Sequence, residues 1–537
     1  MDFTPNAITT SLLTGGDLWW DGNKGVHNIA LPGAGPDAEP LTTIFAGGLW
    51  LSATTVSGRE TFRVQQYGRS GNRFDFAAGP LSAEGIVSPD CNAWDRFFPI
   101  SSNEVEAAFL LRSFGLPINP NALPEAVLGW PGTGNPHFES VNGMPLPDEP
   151  QGYAPFTDED EDGIYDPTKG DLPLFAGDEA VWLLFSTASV AQQSGVGSPF
   201  PLEIHLMAYG FRSDEATINQ TIYYDYKFIS RSGEDSIDFR AGQFIDSDMG
   251  CFTNDAAESM PEANLFYVFN RSVTEPEPCD AGVRTTEDQS PVNIFKVLSA
   301  SSSGPGDDNP RLMERFYLRR SIEPTPGTQV TYSHQGWSDG TPLTRGGTGY
   351  NPGLDRDTTN YMFDGGDVGN TPWRICNTDS LANGSTTYNT FFPTTLSPGD
   401  TYSFSFSVST VFNIPFEDSC PDRATILARG NTVQDHYDDN RPMVTTATRA
   451  PGDAAGVAVV VFPNPASEEI TFRLPSNQQA ATLTLFDLTG RRLTTVRPQA
   501  NTFTLSVGEL ALPAGTYFYR LVTEAEVVVA GKVMIRP

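Results

Sequence analysis

Lysine is scarce in this chain. Five of its 33 basic residues are lysines (Lys24, Lys169, Lys227, Lys296 and Lys532), set against 66 acidic residues. The formal net charge of −33 disfavours nucleic acid and anionic membrane surfaces as partners and favours cations, glycans or proteins. Long apolar runs are also missing. None reaches the roughly 18 residues needed to span a bilayer, so no transmembrane segment is expected. Histidine and cysteine number five each, and their spacing carries no chemistry: there is no C-x-x-C, no HExxH, no G-x-S-x-G and no phosphate-binding glycine loop. Two carboxylates suffice for glycoside hydrolysis, and 66 acids leave that route open. The first residues, MDFTPNAITTSLLTGG, lack the basic and apolar stretches of a signal peptide, so the sequence reads as a mature or shortened form.

Glycine and proline, by contrast, are abundant, at 50 and 43 of 537 residues. Short alternating runs recur between these turn formers, which is the pattern of an all-β protein of several antiparallel β-sandwich domains with long loops. In Thr401 to Ser409, Tyr402, Phe404, Phe406 and Val408 point one way and four serines the other. Thr221 to Phe228, Leu202 to Tyr209 and Ile237 to Ile245 behave similarly. All four are expected to be half-buried sandwich strands. Within the two reducible pairings that proximity suggests, Cys251 joins Cys279 and Cys376 joins Cys420, with Cys91 left over.

The expected division is a β-rich region over 1–150, an acidic segment over 151–177, a large β-sandwich region over 178–444, a small-residue linker over 445–457 and a terminal domain over 458–537. The acidic segment holds the best candidate site. Asp158, Asp160, Asp162 and Asp166 occupy positions 1, 3, 5 and 9 of a loop, with Gly163 at position 6 and the Ile164 carbonyl at position 7. Calcium needs such an oxygen cage, and the glycine lets the chain fold back around the ion. The loop resembles the calcium loops of thrombospondin type 3 repeats and dockerins. It departs from them at position 12, where Lys169 replaces the bidentate acid, with Asp171 as the candidate substitute. The bland reading is a solvated acidic turn; crowding of the carboxylates favours a structural calcium ion. Asp246, Asp248 and Asp255 form a weaker second candidate.

His205, beside Glu203 in an alternating strand, reads as a surface residue. The eight tryptophans read mainly as core, the alternative being a sugar-stacking platform. Loop-like stretches such as 338–373 are where binding would be expected. Asp235-Ser236-Ile237, Asp357-Thr358-Thr359 and Asp379-Ser380-Leu381 resemble the Bacteroidota O-glycosylation acceptor.

The last eighty residues carry a pattern of their own. FPNPA at 462–466, LFDLTGRRL at 485–493, LPAGTYFYRL at 512–521 and a final lysine-containing strand follow one another in a short β-sandwich. Their order and position resemble the type A C-terminal sorting domain of the Bacteroidota type IX secretion system. The matching positions are Pro463, Asn464, Pro465, Gly490, Arg491, Gly515, Tyr517 and Lys532. The resemblance implies export to the cell surface or medium through the secretion machinery, including its outer-membrane shuttle and sortase-like peptidase. It also implies removal of the domain and attachment to lipopolysaccharide, or release. Segments such as NAITTSLLTGGDLWW (6–20), IFAGGLWL (44–51), TRGGTGYNP (344–352) and FDGGD (363–367) look like large β-rich secreted proteins of Bacteroidota. That likeness implies an extracellular role and nothing sharper. The expected function is therefore a calcium-stabilised structural or adhesive protein, an adhesin or a unit of a surface layer or filament. The alternatives are a carbohydrate-binding protein using the 338–373 region and, behind it, a polysaccharide-degrading enzyme.

Overall fold

The alternating segments form the centre of one large antiparallel sheet. In the computed structural model, Thr401–Val411 lies between Thr221–Ser230 and Val292–Ser302. The sheet continues on one side through Leu265–Asn270 to Asp255–Met260, and on the other through Leu202–Gly210 to Glu179–Ser186. Two short strands, Ala77–Ala78 and Phe98–Ser101, share the far edge of Glu179–Ser186 and bring the sheet to nine strands. The structure describes residues 1–35, 38–58, 60–64, 75–87, 91–113, 118–147, 152–187, 201–249, 255–270, 290–302, 316–321, 330–335, 341–359, 361–378, 387–390, 394–417, 419–440, 460–463, 466–474, 480–486, 492–498, 500–508, 510, 512–523 and 528–536.

The first face packs as the alternation predicts. Ile222, Tyr224, Tyr226 and Phe228 are buried with Phe404, Phe406 and Val408 against a second sheet. That second sheet runs Thr387–Thr390, Ser236–Asp246, Ala46–Thr54, Glu60–Val64, with Thr394–Leu396 also on Ser236–Asp246. Side chains of Leu49, Leu51, Phe239 and Ile245 close the sandwich from its side. Trp19 enters the same core and donates Nε1–H to the Tyr224 hydroxyl at 2.9 Å. A Cβ on Gly47 would lie 2.2 Å from the Trp19 ring, so only glycine allows that approach.

The opposite face was expected to meet water, and it does not. Ser405, Ser407 and Ser409 are all buried. An 18-residue helix, Arg423–Asn440, covers this face with Ile426, Gly430, Val433 and Tyr437 turned inward. Asp422 starts it by accepting the Thr425 N–H at 2.8 Å. On this covered face the Tyr437 hydroxyl donates to Ser405 Oγ at 2.9 Å and meets Ser299 Oγ at 2.7 Å, and Ser409 Oγ meets Thr221 Oγ1 at 2.7 Å. Beside the helix, Trp94, Phe98, Phe138 and Tyr153 pack onto the sheet near Trp182.

Residues 1–105 and 115–438 form one compact unit. The boundary expected near residue 150 does not separate it, because Ala46–Thr54 pairs with Ser236–Asp246 and Phe98–Ser101 with Glu179–Ser186. The expected linker 445–457 lies outside the described residues.

In the C-terminal unit, three strands (Val460–Phe462, Glu469–Arg473, Thr502–Ser506) and four (Arg492–Val496, Ala480–Phe486, Gly515–Thr523, Val528–Ile535) form two antiparallel sheets. Ile470, Phe472, Leu483, Leu485, Tyr519 and Leu521 are buried between them in one core. This is the short sandwich that the motifs imply. Among the described residues no helix is long and apolar enough to cross a membrane.

Candidate functional site

A short hairpin, Phe156–Thr157 paired with Leu172–Pro173, closes the base of the acidic loop. Glu161 and Gly163 take positive φ angles of 59° and 79°, which fold the loop back on itself. Asp158 accepts the N–H groups of Asp162 and Gly163 at 3.2 and 2.7 Å. Asp171 is fully buried and accepts from Glu159 N at 2.8 Å and Asp166 N at 2.7 Å. Burial, and then the charges of Asp158 and Asp160, outweigh those hydrogen bonds and raise the Asp171 carboxyl above the ordinary aspartate range.

One carboxylate oxygen each from Asp158, Asp160 and Asp171 lies within 4.8 Å of the others. Oxygens around a calcium ion at about 2.4 Å are at most about 4.8 Å apart, so this trio fits the ion. The other candidates have different partners. The ammonium of Lys169 sits 2.5 Å from Asp162 and 3.2 Å from Asp160, and it lowers the Asp162 carboxyl. Asp166 accepts from Thr168 and lies 3.6 Å from His137 Nε2. Ile164 donates its N–H to Asp162. Asp171, the substitute proposed for position 12, thus belongs to the convergent set, while the lysine at position 12 neutralises two of its neighbours. Tyr165 ties the loop to the body through Thr133 O and Val127 O, at 2.8 and 2.6 Å.

In the second candidate, Asp246, Asp248 and Asp255 do not form a convergent trio among the described residues. Asp255 is buried and accepts the Met249 N–H at 3.2 Å. Burial, and then the charge of Asp246, push the Asp248 carboxyl up to about 7. Residues 250–254 of this turn, with Cys251, lie outside the described residues, as does Cys279.

The 341–378 segment is a packed cover rather than an open loop. Leu343, Phe363, Trp373 and Ile375 are buried in one apolar core with Tyr267, Phe269 and Ile294 of the sheet and Ile426 of the helix. Arg345 holds Asp364 at 2.9 Å, and Trp373 Nε1 donates to Gly347 O at 2.9 Å. Tyr350 and Leu354 remain exposed at its tip. Trp19, Trp50, Trp94, Trp130, Trp182 and Trp373 are all buried and Trp20 is half-buried, so core packing accounts for most of the tryptophans. Trp337 lies outside the described residues. Of the glycosylation-like tripeptides, Ser236 is buried, Thr358 is exposed, and Ser380 is outside the described residues.

Two buried charge clusters gave no signal in the sequence. Glu258, on the edge strand Asp255–Met260, meets Arg374 at 3.0 Å and Arg423 at 3.8 Å. It also accepts the Tyr267 hydroxyl and the Ile375 N–H. Beside it the Cys376–Cys420 disulfide is formed, as one of the two expected pairings. The second cluster corrects the reading of His205. That ring is buried, 2.9 Å from Glu203 Oε1, stacked on Tyr153 and edge-on to Trp182. Arg231 lies 3.5 Å from Glu203, whose second oxygen accepts the Leu81 N–H at 2.8 Å. Burial, the largest influence, keeps the His205 ring below its ordinary pKa despite the glutamate.

In the C-terminal unit, the Tyr517 hydroxyl donates to Pro513 O at 2.7 Å, closing the LPAGTY turn. Gly515 begins the strand that pairs with Val528–Ile535, where Phe518 faces Lys532 in register. Pro463 ends the first strand through a cis peptide bond with Phe462. Asn464, Pro465, Gly490 and Arg491 lie outside the described residues.

Residues 460–536 match the family described as secretion system C-terminal sorting domain. No curated protein matches the chain. Among solved structures, a polysaccharide lyase aligns at 10% identity and TM-score 0.18, over 68% of this chain and 40% of the lyase. Dimeric latent PorU from Porphyromonas gingivalis aligns at 12% identity and TM-score 0.13, over 59% of this chain and 31% of that one. The chain thus spans less than half of either solved chain, and likeness at this level carries no functional argument.

Proposed function

We propose that this chain, whose C-terminal domain marks it as cargo of the type IX secretion system, acts as a structural or adhesive protein at the cell surface or in the extracellular medium. The sorting domain is the observation that carries the reading, since it fixes where the rest of the chain has to work. In this reading the domain is removed on export and the body is attached to lipopolysaccharide or released. Calcium held by Asp158, Asp160 and Asp171 would neutralise the acidic loop and, through Tyr165, brace the segment that packs on the sheet. The ion would supply charge neutralisation and rigidity, with no part in a reaction.

Glycan binding is the second reading, and Tyr350 favours it as an exposed aromatic of the 341–378 segment, a kind of side chain that stacks on sugar rings. Light scattering and electron microscopy of the protein with calcium and with chelator separate the two. Ordered assemblies support the structural reading. A monomer under both conditions that binds a glycan saturably, and loses that binding in Tyr350→Ala, supports the second. Release of sugar products from a polysaccharide would replace both with an enzyme.

A further inference from the structure

Asp255–Met260 is an outer strand of the nine-stranded sheet, and such an edge presents unpaired backbone groups that invite another strand. Here the 341–378 segment and the start of the Arg423–Asn440 helix cover it. Ser259 N–H donates to Met362 O at 3.1 Å, and Arg423 donates to Ser259 O at 3.2 Å. Arg374 from the cover and Arg423 from the helix close on the same carboxylate, Glu258. Arg374 also donates to Pro421 O at 2.8 Å, and Arg423 to Asp364 O at 3.1 Å. The Cys376–Cys420 disulfide joins the end of the cover to the turn before the helix, across 44 residues of sequence.

We infer that this disulfide is a redox-sensitive latch: it keeps the 341–378 cover on the Asp255–Met260 edge, and a dithiol that opens it releases the cover while leaving the sandwich folded. The local scale follows from what each group holds. The disulfide and both arginines act on the edge strand and its cover, whereas the central strands are fixed by their own ladders and by the core between the sheets.

Access is asymmetric. Cys376 is half-buried and Cys420 is buried, with its sulfur 3.5 Å from Glu258 Oε1. A small dithiol therefore attacks Cys376 Sγ, forming a mixed disulfide and expelling Cys420 Sγ as thiolate, which takes a proton. The second thiol of the reagent then displaces Cys376 Sγ and closes the reagent as a cyclic disulfide. Two electrons and two protons pass to the protein, and both cysteines end as thiols.

The test is hydrogen exchange of the full chain, read by mass spectrometry, with and without dithiothreitol, and in the Cys376→Ser/Cys420→Ser variant without reductant. Exchange at residues 255–260 and 341–378 should quicken on the order of tenfold or more in both cases, with Thr221–Ser230 and Thr401–Val411 unchanged. Unchanged exchange at the edge would mean that the Glu258 cluster and the apolar core shared with the sheet hold the cover without the disulfide. Loss of protection in the central strands as well would make the disulfide a staple of the whole fold. Either result overturns the latch. If the variant fails to fold, gentle reduction of the wild-type protein still decides between these outcomes.

Discussion

The hydroxyl of Tyr437, on the last turns of the long helix, donates to Ser405 Oγ on the central strand at 2.9 Å, and the same hydroxyl meets Ser299 Oγ at 2.7 Å. One phenol thus satisfies two serines on a covered sheet face. Replacing Tyr437 by Phe keeps the ring and strands both hydroxyls. The expected loss is about 1–3 kcal/mol of unfolding free energy, read from urea denaturation. A loss near zero would mean that water replaces the phenol and the face is open.

The buried Glu258 neutralises two half-buried arginines. Glu258→Gln preserves the shape but takes the buried carboxylate from Arg374 and leaves Arg423 only the exposed Glu262 at 3.5 Å, so it should cost about 3–5 kcal/mol in the same assay. Arg374→Lys should cost less, since a charge remains.

The acidic loop gives a conditional prediction. Asp160→Asn and Asp171→Asn should each abolish a calcium-dependent gain in melting temperature. Asp162→Asn should retain most of it, because Asp162 faces Lys169. Scanning fluorimetry with calcium and with chelator reads this directly. A melt indifferent to calcium in the parent protein would reduce the loop to an acidic turn.

Asp248 supplies a pH dependence. Its folded carboxyl titrates at about 7, whereas an aspartate in the unfolded chain titrates at about 3.9. Between those values the folded state holds a proton that the unfolded state has released, so this group's contribution to stability falls as pH rises and levels off above about 7. In chelator, Asp248→Asn should therefore melt higher than the parent at pH 8, with the advantage gone near pH 4. A constant difference across that range would contradict the raised titration.

Removal of residues 458–537 should leave the protein inside the cell envelope, as cell fractionation of a type IX-competent host would show. Efficient export of the shortened chain would sink the sorting assignment.

The strands and the terminal sandwich were legible because period-two alternation survives in a single sequence: Ile222, Tyr224, Tyr226 and Phe228 announce their own face. What covers the other face was hidden. Ser405 and Ser407 look solvent-facing until Tyr437 and its helix are placed over them, and that pairing is a tertiary fact with no local trace. The loop trio was legible in part, since spacing identified Asp158 and Asp160 and suggested Asp171. The Lys169 contact to Asp162 depended on backbone turns that only the fold reveals. Glu258 and Arg374 were invisible for the same reason, being 116 residues apart in sequence.

Thr401–Val411 occupies the middle of the sheet yet comes late in the chain, and Thr221 meets Ser409 across 188 residues. Its two neighbours are made long before it. At ordinary translation speeds the ribosome needs about 5–20 s to pass from the end of the later neighbour to this strand. Throughout that interval Thr221–Ser230 and Val292–Ser302 lack the partner that joins them, and each exposes an edge able to pair wrongly. The body is therefore a late folder, completed only when nearly the whole chain has emerged, and its yield should depend on how well the unfinished halves are kept apart.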